Sequence, residues 1–134
     1  MLPQHIGTTY NQFGVYGEKG NASADHYPGA RSYAVGWYDS LRQEFWLFGG
    51  SGFADKSALG KKDLLNDLWR YRMNDSTWLG SNQLGVYGEK GNASITNVPG
   101  ARRDAVGWFD SLREELWLFG GFGVDSNAVL GALD

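Results

Sequence analysis

Between positions 31 and 38 apolar and aromatic residues dominate, a polar run at 39–43 interrupts them, and 44–48 is apolar again until Gly49 and Gly50 end it. Short apolar runs bounded by turn residues read as strands, so these two predict a hairpin. A polar stretch at 51–62 follows, then 67–73 reads as a third strand, Asn74-Asp75-Ser76 as a turn and 77–79 as a short fourth strand. Side chains alternate along a strand, which puts Phe45 and Leu47 on one face of the second strand and Trp46 and Phe48 on the other. Both faces are apolar, and a lone four-stranded meander has nothing to cover them.

The pattern occurs twice. GVYGEKGNAS at 14–23 returns unchanged at 85–94, an offset of 85 − 14 = 71, and PGAR, AVGW, DSLR and WLFGG recur in step. Self-similarity at a fixed period signals a propeller, solenoid or array. Two-sided apolar strands favour the propeller, where each sheet is covered by its neighbours about an axis. The predicted architecture is all-β, a segment of about one and a half to two four-stranded antiparallel blades from an incomplete ring.

Gly49-Gly50 closing the apolar second strand, then Tyr71 and Trp78 with six residues between them across the third turn, resemble the kelch repeat family of β-propellers. GVYGEKGNAS, PGAR, WLFGG and LLNDLWRY look most like the long kelch repeats of bacterial secreted and surface proteins, and the resemblance covers all but the first dozen residues. It implies a secreted or cell-surface scaffold. Divided accordingly, 1–27 is a degenerate outer strand plus an inter-blade loop, 28–80 the first blade, 81–98 a second inter-blade loop, and 99–134 a second blade with its inner hairpin only. At an offset of 71, Trp78 falls opposite Gly7, and Asp134 opposite Asp63. Propellers close with about 4–8 blades, so further blades are expected from the same longer chain or from other copies of it.

Gly49, Gly50, Gly120 and Gly121 are expected to leave the second strand at positive φ or under a close backbone. Tyr71 and Trp78 are expected to pack as an aromatic pair on adjacent strands. Arg31 and Arg102 each follow Gly-Ala, and most simply brace a loop or a carboxylate near the start of the inner strand. The resemblance adds that kelch domains use arginines near the ring face to hold acidic partners. An up-and-down blade places the 2-3 and 4-1 connections on one face; here those are the long, polar, glycine-rich ones, and long loops carry recognition. Tyr16, Glu18 and Lys19, with Tyr87, Glu89 and Lys90, lie there as binding candidates, although an identical repeat also suits a structural buckle. Positions that differ between the copies, 24–27 against 95–98 and 51–62 against 122–131, are better candidates for specificity.

The sequence holds no cysteine and two histidines, His5 and His26, in unrelated contexts, so no metal site, cofactor or catalytic group is expected. Gly49-Gly50-Ser51-Gly52-Phe53 lacks the last glycine of a nucleophile elbow, and the second copy replaces Ser51 with Phe122. A net charge of −3 without a basic cluster gives no footprint for nucleic acid, and no run approaches a membrane span. Asp39 and Glu44, with Asp110, Glu114 and Glu115, read as a solvated turn beside Arg42 and Arg113. Asn21, Asn74 and Asn92 begin N-x-Ser sequons. The function expected is a non-catalytic module that binds a protein or a glycan. Its rivals are a fragment of a propeller enzyme of the galactose oxidase kind and a purely structural ring-forming repeat. The enzyme reading needs a cysteine-tyrosine crosslink and inner-strand histidines, which this sequence does not supply.

Overall fold

A computed structural model of the chain describes residues 11–18, 21–54, 62–73, 77–81 (backbone only), 94–125, 127 and 129–133. These residues form short antiparallel sheets, none of them closed, and no helix. Strands β2 (Val35–Asp39), β3 (Glu44–Phe48), β6 (Leu68–Arg72) and β7 (Thr77–Ser81) make a four-stranded sheet in that order. Trp37 stands opposite Trp46, Trp46 opposite Arg70, and Tyr71 opposite Trp78. The meander read from the turn residues is therefore present.

Its first strand is shorter than the apolar run. Tyr33 takes φ 59, a left-handed conformation that turns the chain before β2 begins, and Asp104 at φ 58 does the same in the second copy. The residues ahead of this kink leave for a different sheet. β1 (Arg31–Ser32) pairs with β4 (Ser51–Gly52), and β4 with β5 (Asp63–Leu64). The connection expected as a polar loop is thus tied down at both ends.

In the second copy β8 (Arg102–Arg103), β11 (Phe122–Val124) and β12 (Leu130–Ala132) form the matching small sheet, and β9 (Val106–Asp110) pairs with β10 (Glu115–Phe119). The offset changes within it. Phe122 takes the place of Ser51 at 122 − 51 = 71, but its partner Ala132 takes the place of Leu64 at 132 − 64 = 68. Leu133 bonds to the Gly121 carbonyl as Leu65 bonds to that of Gly50. The second connection is three residues shorter, so Leu133, and not a residue past 134, is the counterpart of Leu65.

Both hairpin turns use one device. The Asp39 carboxylate accepts the amides of Leu41 (2.9 Å) and Arg42 (3.1 Å) and the Arg42 guanidinium (3.0 Å), and Gln43 closes the turn at φ 56. Asp110, Leu112, Arg113 and Glu114 repeat it. Burial alone would raise the Asp39 pKa, but the hydrogen bonds from Arg42 and Leu41 outweigh it and hold the carboxyl below its ordinary value; at Asp110 the Arg113 side chain leads the same effect. A depressed folded-state pKa stabilises above the unfolded value near 3.8 and loses that contribution as pH falls through the folded value. Thermal melts between pH 2 and pH 5 should show an acid limb that flattens in Asp39→Asn.

The copies meet along a continuous seam. Gly50 donates its amide to the Arg102 carbonyl (2.8 Å), Arg102 donates to that of Leu65 (3.2 Å), and Asp104 to that of Tyr33 (3.0 Å). Strand β9 crosses β2 so closely at Gly107 that a Cβ there would lie 2.8 Å from Val35 Cγ2. Arg42 in one turn pairs with Glu114 in the other, and the Arg103 guanidinium lies over the rings of Tyr33 and Phe122. Among the described residues the buried apolar side chains are Phe48, Leu65, Trp69 and Tyr71, which centre the core on β6 of the first unit.

Candidate functional site

Among the described residues, polar chemistry or open space gathers at three places: a buried charge cluster, a cleft between the units, and the edge formed by the long connections. The cluster gathers around Asp67, where β5 gives way to β6. Arg31 donates to both of its oxygens, at 2.6 and 2.8 Å, and Trp69 Nε1 and the Tyr16 hydroxyl donate to Oδ2. Arg31 also reaches the carbonyls of Gly29 (3.1 Å) and Gly49 (3.0 Å). Bidentate pairing at side-chain exposures of 6% and 1% satisfies both ions in place of water. The Tyr16 ring packs on Trp69, 4.8 Å between centroids, and Trp69 is wholly buried. Burial first, then the Asp67 charge and its hydrogen bond, push the Tyr16 hydroxyl well above its ordinary value. It stays a donor at neutral pH.

Each donor in this cluster is spent inside the chain. Arg31 and Tyr16 are two of the expected binding residues, and their polar groups are turned to Asp67. Arg102, 6% exposed, repeats the backbone part of the arrangement, reaching the carbonyls of Gly100 (3.2 Å) and Gly120 (2.9 Å). Glu18 is exposed. Lys19, Tyr87, Glu89 and Lys90 lie outside the described residues, as do the sequon asparagines Asn74 and Asn92 and the N-terminal segment expected to carry a frayed strand. Trp78 is placed by its backbone alone.

Gly49, Gly50, Gly120 and Gly121 have φ of 64, 96, 67 and 98. At Gly49 a Cβ would lie 2.5 Å from the Arg102 carbonyl oxygen, so the close neighbour there is the second unit itself. The cleft between the units has a volume of about 330 Å³. Trp37, Phe48, Leu68 and Asn66 line it from the first unit, and Leu116, Leu118 and Asn97 from the second. The indole N–H groups of Trp37 and Trp46 are buried without a partner, and Arg70 covers the Trp46 ring at 5.8 Å. Among the described residues no three His, Asp or Glu side chains gather closely enough to hold a metal ion.

The edge of long connections is built from 11–30 lying against the chain that leaves β4. Gly14 donates to the Ala54 carbonyl (2.9 Å), Ala30 to that of Gln12 (2.7 Å) and Phe53 to that of Ala30 (3.0 Å), while the rings of Phe13 and Phe53 meet edge to face. A tight turn projects from this edge in each copy. Ser23 accepts the Asp25 amide on its hydroxyl (3.1 Å) and the His26 amide on its carbonyl (3.4 Å). Ser94 does the same with Thr96 (3.2 Å) and Asn97 (3.1 Å). The frames match, and their tips differ: Ala24 and Asp25 in one, Ile95 and Thr96 in the other, all exposed. The sequence signal for these turns was the change from identity to difference right after Ser23 and Ser94. The Asp67 cluster had a fainter signal, Tyr16 and Arg31 being repeated exactly inside otherwise polar stretches.

Set beside models of known protein families and beside curated proteins, the sequence matches none.

Proposed function

We propose that the chain is a non-catalytic binding module, built as blades of a kelch-type β-propeller, which recognises a protein, or less readily a glycan, through the edge of its long connections. One observation carries the reading: two turns with the same Ser-anchored hydrogen bonds present different exposed tips, Ala24-Asp25 and Ile95-Thr96. A constant frame with variable tips is what a recognition surface on a rigid scaffold requires. Ile95, fully exposed at 103%, offers an apolar side chain to solvent. The buckle formed by Tyr16, Arg31 and Asp67 holds the frame and leaves the tips free to vary. The propeller assignment is supported by the four-stranded meander, the stacking of β9 on β2 and the kelch-like glycine and aromatic positions.

Panning a random peptide library, and a glycan array, against the purified chain tests this. Binders are expected from the peptides, and Ile95→Asp together with Asp25→Arg should weaken them at least tenfold by biolayer interferometry while the melting temperature stays unchanged. Binders that ignore both substitutions would place recognition elsewhere.

A further inference from the structure

The seam between the two units has two halves, and each half recurs at one end of the chain. The receiving half in the first unit is the Gly50 amide and the Leu65 carbonyl, which grip the backbone of Arg102 at 2.8 and 3.2 Å. The second unit rebuilds it. Gly121 has φ 98 against 96 at Gly50, and the Leu133 amide reaches the Gly121 carbonyl at 2.8 Å where Leu65 reaches that of Gly50 at 2.9 Å. Among the described residues the slot beside it is open: a Cβ at Gly120 would meet nothing nearer than the Leu133 carbonyl at 3.4 Å, whereas at Gly49 the Arg102 carbonyl stands at 2.5 Å.

The inserted half is duplicated too. Arg102 ends Pro99-Gly100-Ala101-Arg102, and Arg31 ends Pro28-Gly29-Ala30-Arg31. The Ala30 carbonyl accepts from Phe53, and that of Ala101 from Val124, both at 3.0 Å. In an antiparallel ladder the next residue then directs its amide and carbonyl to the opposite edge. Arg31 therefore presents outward the groups that Arg102 inserts into the first unit.

Side chains follow the same division. Directly paired residues share a face, so Val35, Trp37, Trp46 and Phe48 form the side of the first unit that the second covers. Their counterparts in the second unit are bare: Val106 62%, Trp108 46%, Trp117 45% and Phe119 62% exposed, with the two indoles stacked at 5.8 Å. The second unit covers the first with its Gly107, Phe109 and Leu116 side, and the matching side of the first unit exposes Tyr38 (41%) and Phe45 (47%). An aromatic patch and its complement thus lie at the two ends of one chain.

We infer that this chain associates head to tail with a second copy of itself, the Arg31 edge and the Tyr38–Phe45 face of one docking on the Gly121–Leu133 slot and the Trp108–Phe119 face of the other. The contact continues the seam already formed within the chain, and it is independent of what the turn tips recognise. Because its two surfaces differ, it is heterologous, and each dimer leaves one of each surface open for another copy.

Sedimentation velocity on the 134-residue chain, from low to high micromolar, tests it. The wild-type mass should rise with concentration above 14.8 kDa. Tyr38→Lys blocks the head and Phe119→Lys the tail; each alone should stay at the monomer mass, and an equimolar mixture should give a complex of twice that mass and no larger. Gly120→Ala, which fills the slot, should behave as Phe119→Lys does. Circular dichroism checks that each variant keeps its fold, with Phe45→Lys and Val106→Lys standing in for one that does not. A wild type that remains monomeric at the highest concentration, single variants that assemble like it, or a mixture that stays monomeric would each overturn the inference.

Discussion

Asp67→Ala is expected to destabilise the chain by about 3–5 kcal/mol, the usual cost of removing one partner from a buried ion pair, and to lower Tm by roughly 10–20 °C. The Arg31 guanidinium would lose both of its carboxylate contacts, and Trp69 Nε1 and the Tyr16 hydroxyl would lose their acceptor in the same step. None of the three can turn to water without opening the packing of Tyr16 on Trp69. Since native domains hold only about 5–15 kcal/mol in all, this one truncation removes much of the margin. Replacing both charges, as Arg31→Met with Asp67→Leu, should recover a large part of the loss, because the ions repay little more than their own desolvation. Urea unfolding of the two variants decides it. A double variant no more stable than Asp67→Ala would mean that the geometry of the pair, and not charge balance, holds β1 to β6.

Gly49→Ala and Gly120→Ala should differ sharply although both glycines occupy the same left-handed conformation, at φ 64 and 67. The backbone strain of an alanine there, about 1–2 kcal/mol, is common to both. Beyond it, the new methyl at 49 would press on the Arg102 carbonyl at 2.5 Å and that of Leu65 at 3.0 Å, while at 120 it would sit at ordinary contact, 3.4 Å from the Leu133 carbonyl. Overpacking against backbone costs about 1–3 kcal/mol. In dilute solution, where the chain is monomeric, Gly49→Ala should therefore be less stable than Gly120→Ala by about that amount, and only the former should free the second unit to move relative to the first. Hydrogen exchange at Arg102 and Asp104, whose amides cross the seam, reads that movement directly. Equal stabilities would deny that the first glycine pair is shaped by the neighbouring unit.

The meander was legible because its strands are short, two-sided and separated by turns of unmistakable composition. Asp39-Ser40-Leu41-Arg42 and the glycine pairs mark where pairing must stop, and the register follows from them. The small sheets were not legible. Arg31-Ser32, Ser51-Gly52 and Asp63-Leu64 are two-residue strands with no alternation to detect, and the left-handed turn at Tyr33, a bulky aromatic at φ 59, has no signature in residue type. Arg31 was rightly suspected of bracing a carboxylate, but Asp67 could not be picked out as that carboxylate. Its counterpart would fall at 67 + 68 = 135, one residue past Asp134, so the duplication that marks Arg31 and Arg102 as a pair is silent on this carboxylate. The three-residue shortening of the second connection hid the change of offset, since Leu130-Gly131 still matches Leu59-Gly60 at 130 − 59 = 71 and so points to the old register.

The Arg31–Asp67 pair joins residues 36 apart, whereas each hairpin joins neighbours across a turn of a few residues. Closing the longer loop costs chain entropy that is recovered only when the buried contacts around it are complete. On loop entropy alone the hairpins are expected to form before the clasp, an order that Asp67→Ala would report as faster unfolding at a nearly unchanged folding rate. Interactions made after the transition state leave the folding rate almost untouched and slow the reverse step. On that order the pair is expected to act as a latch, setting how long a folded molecule stays shut more than how quickly a new chain finds its shape.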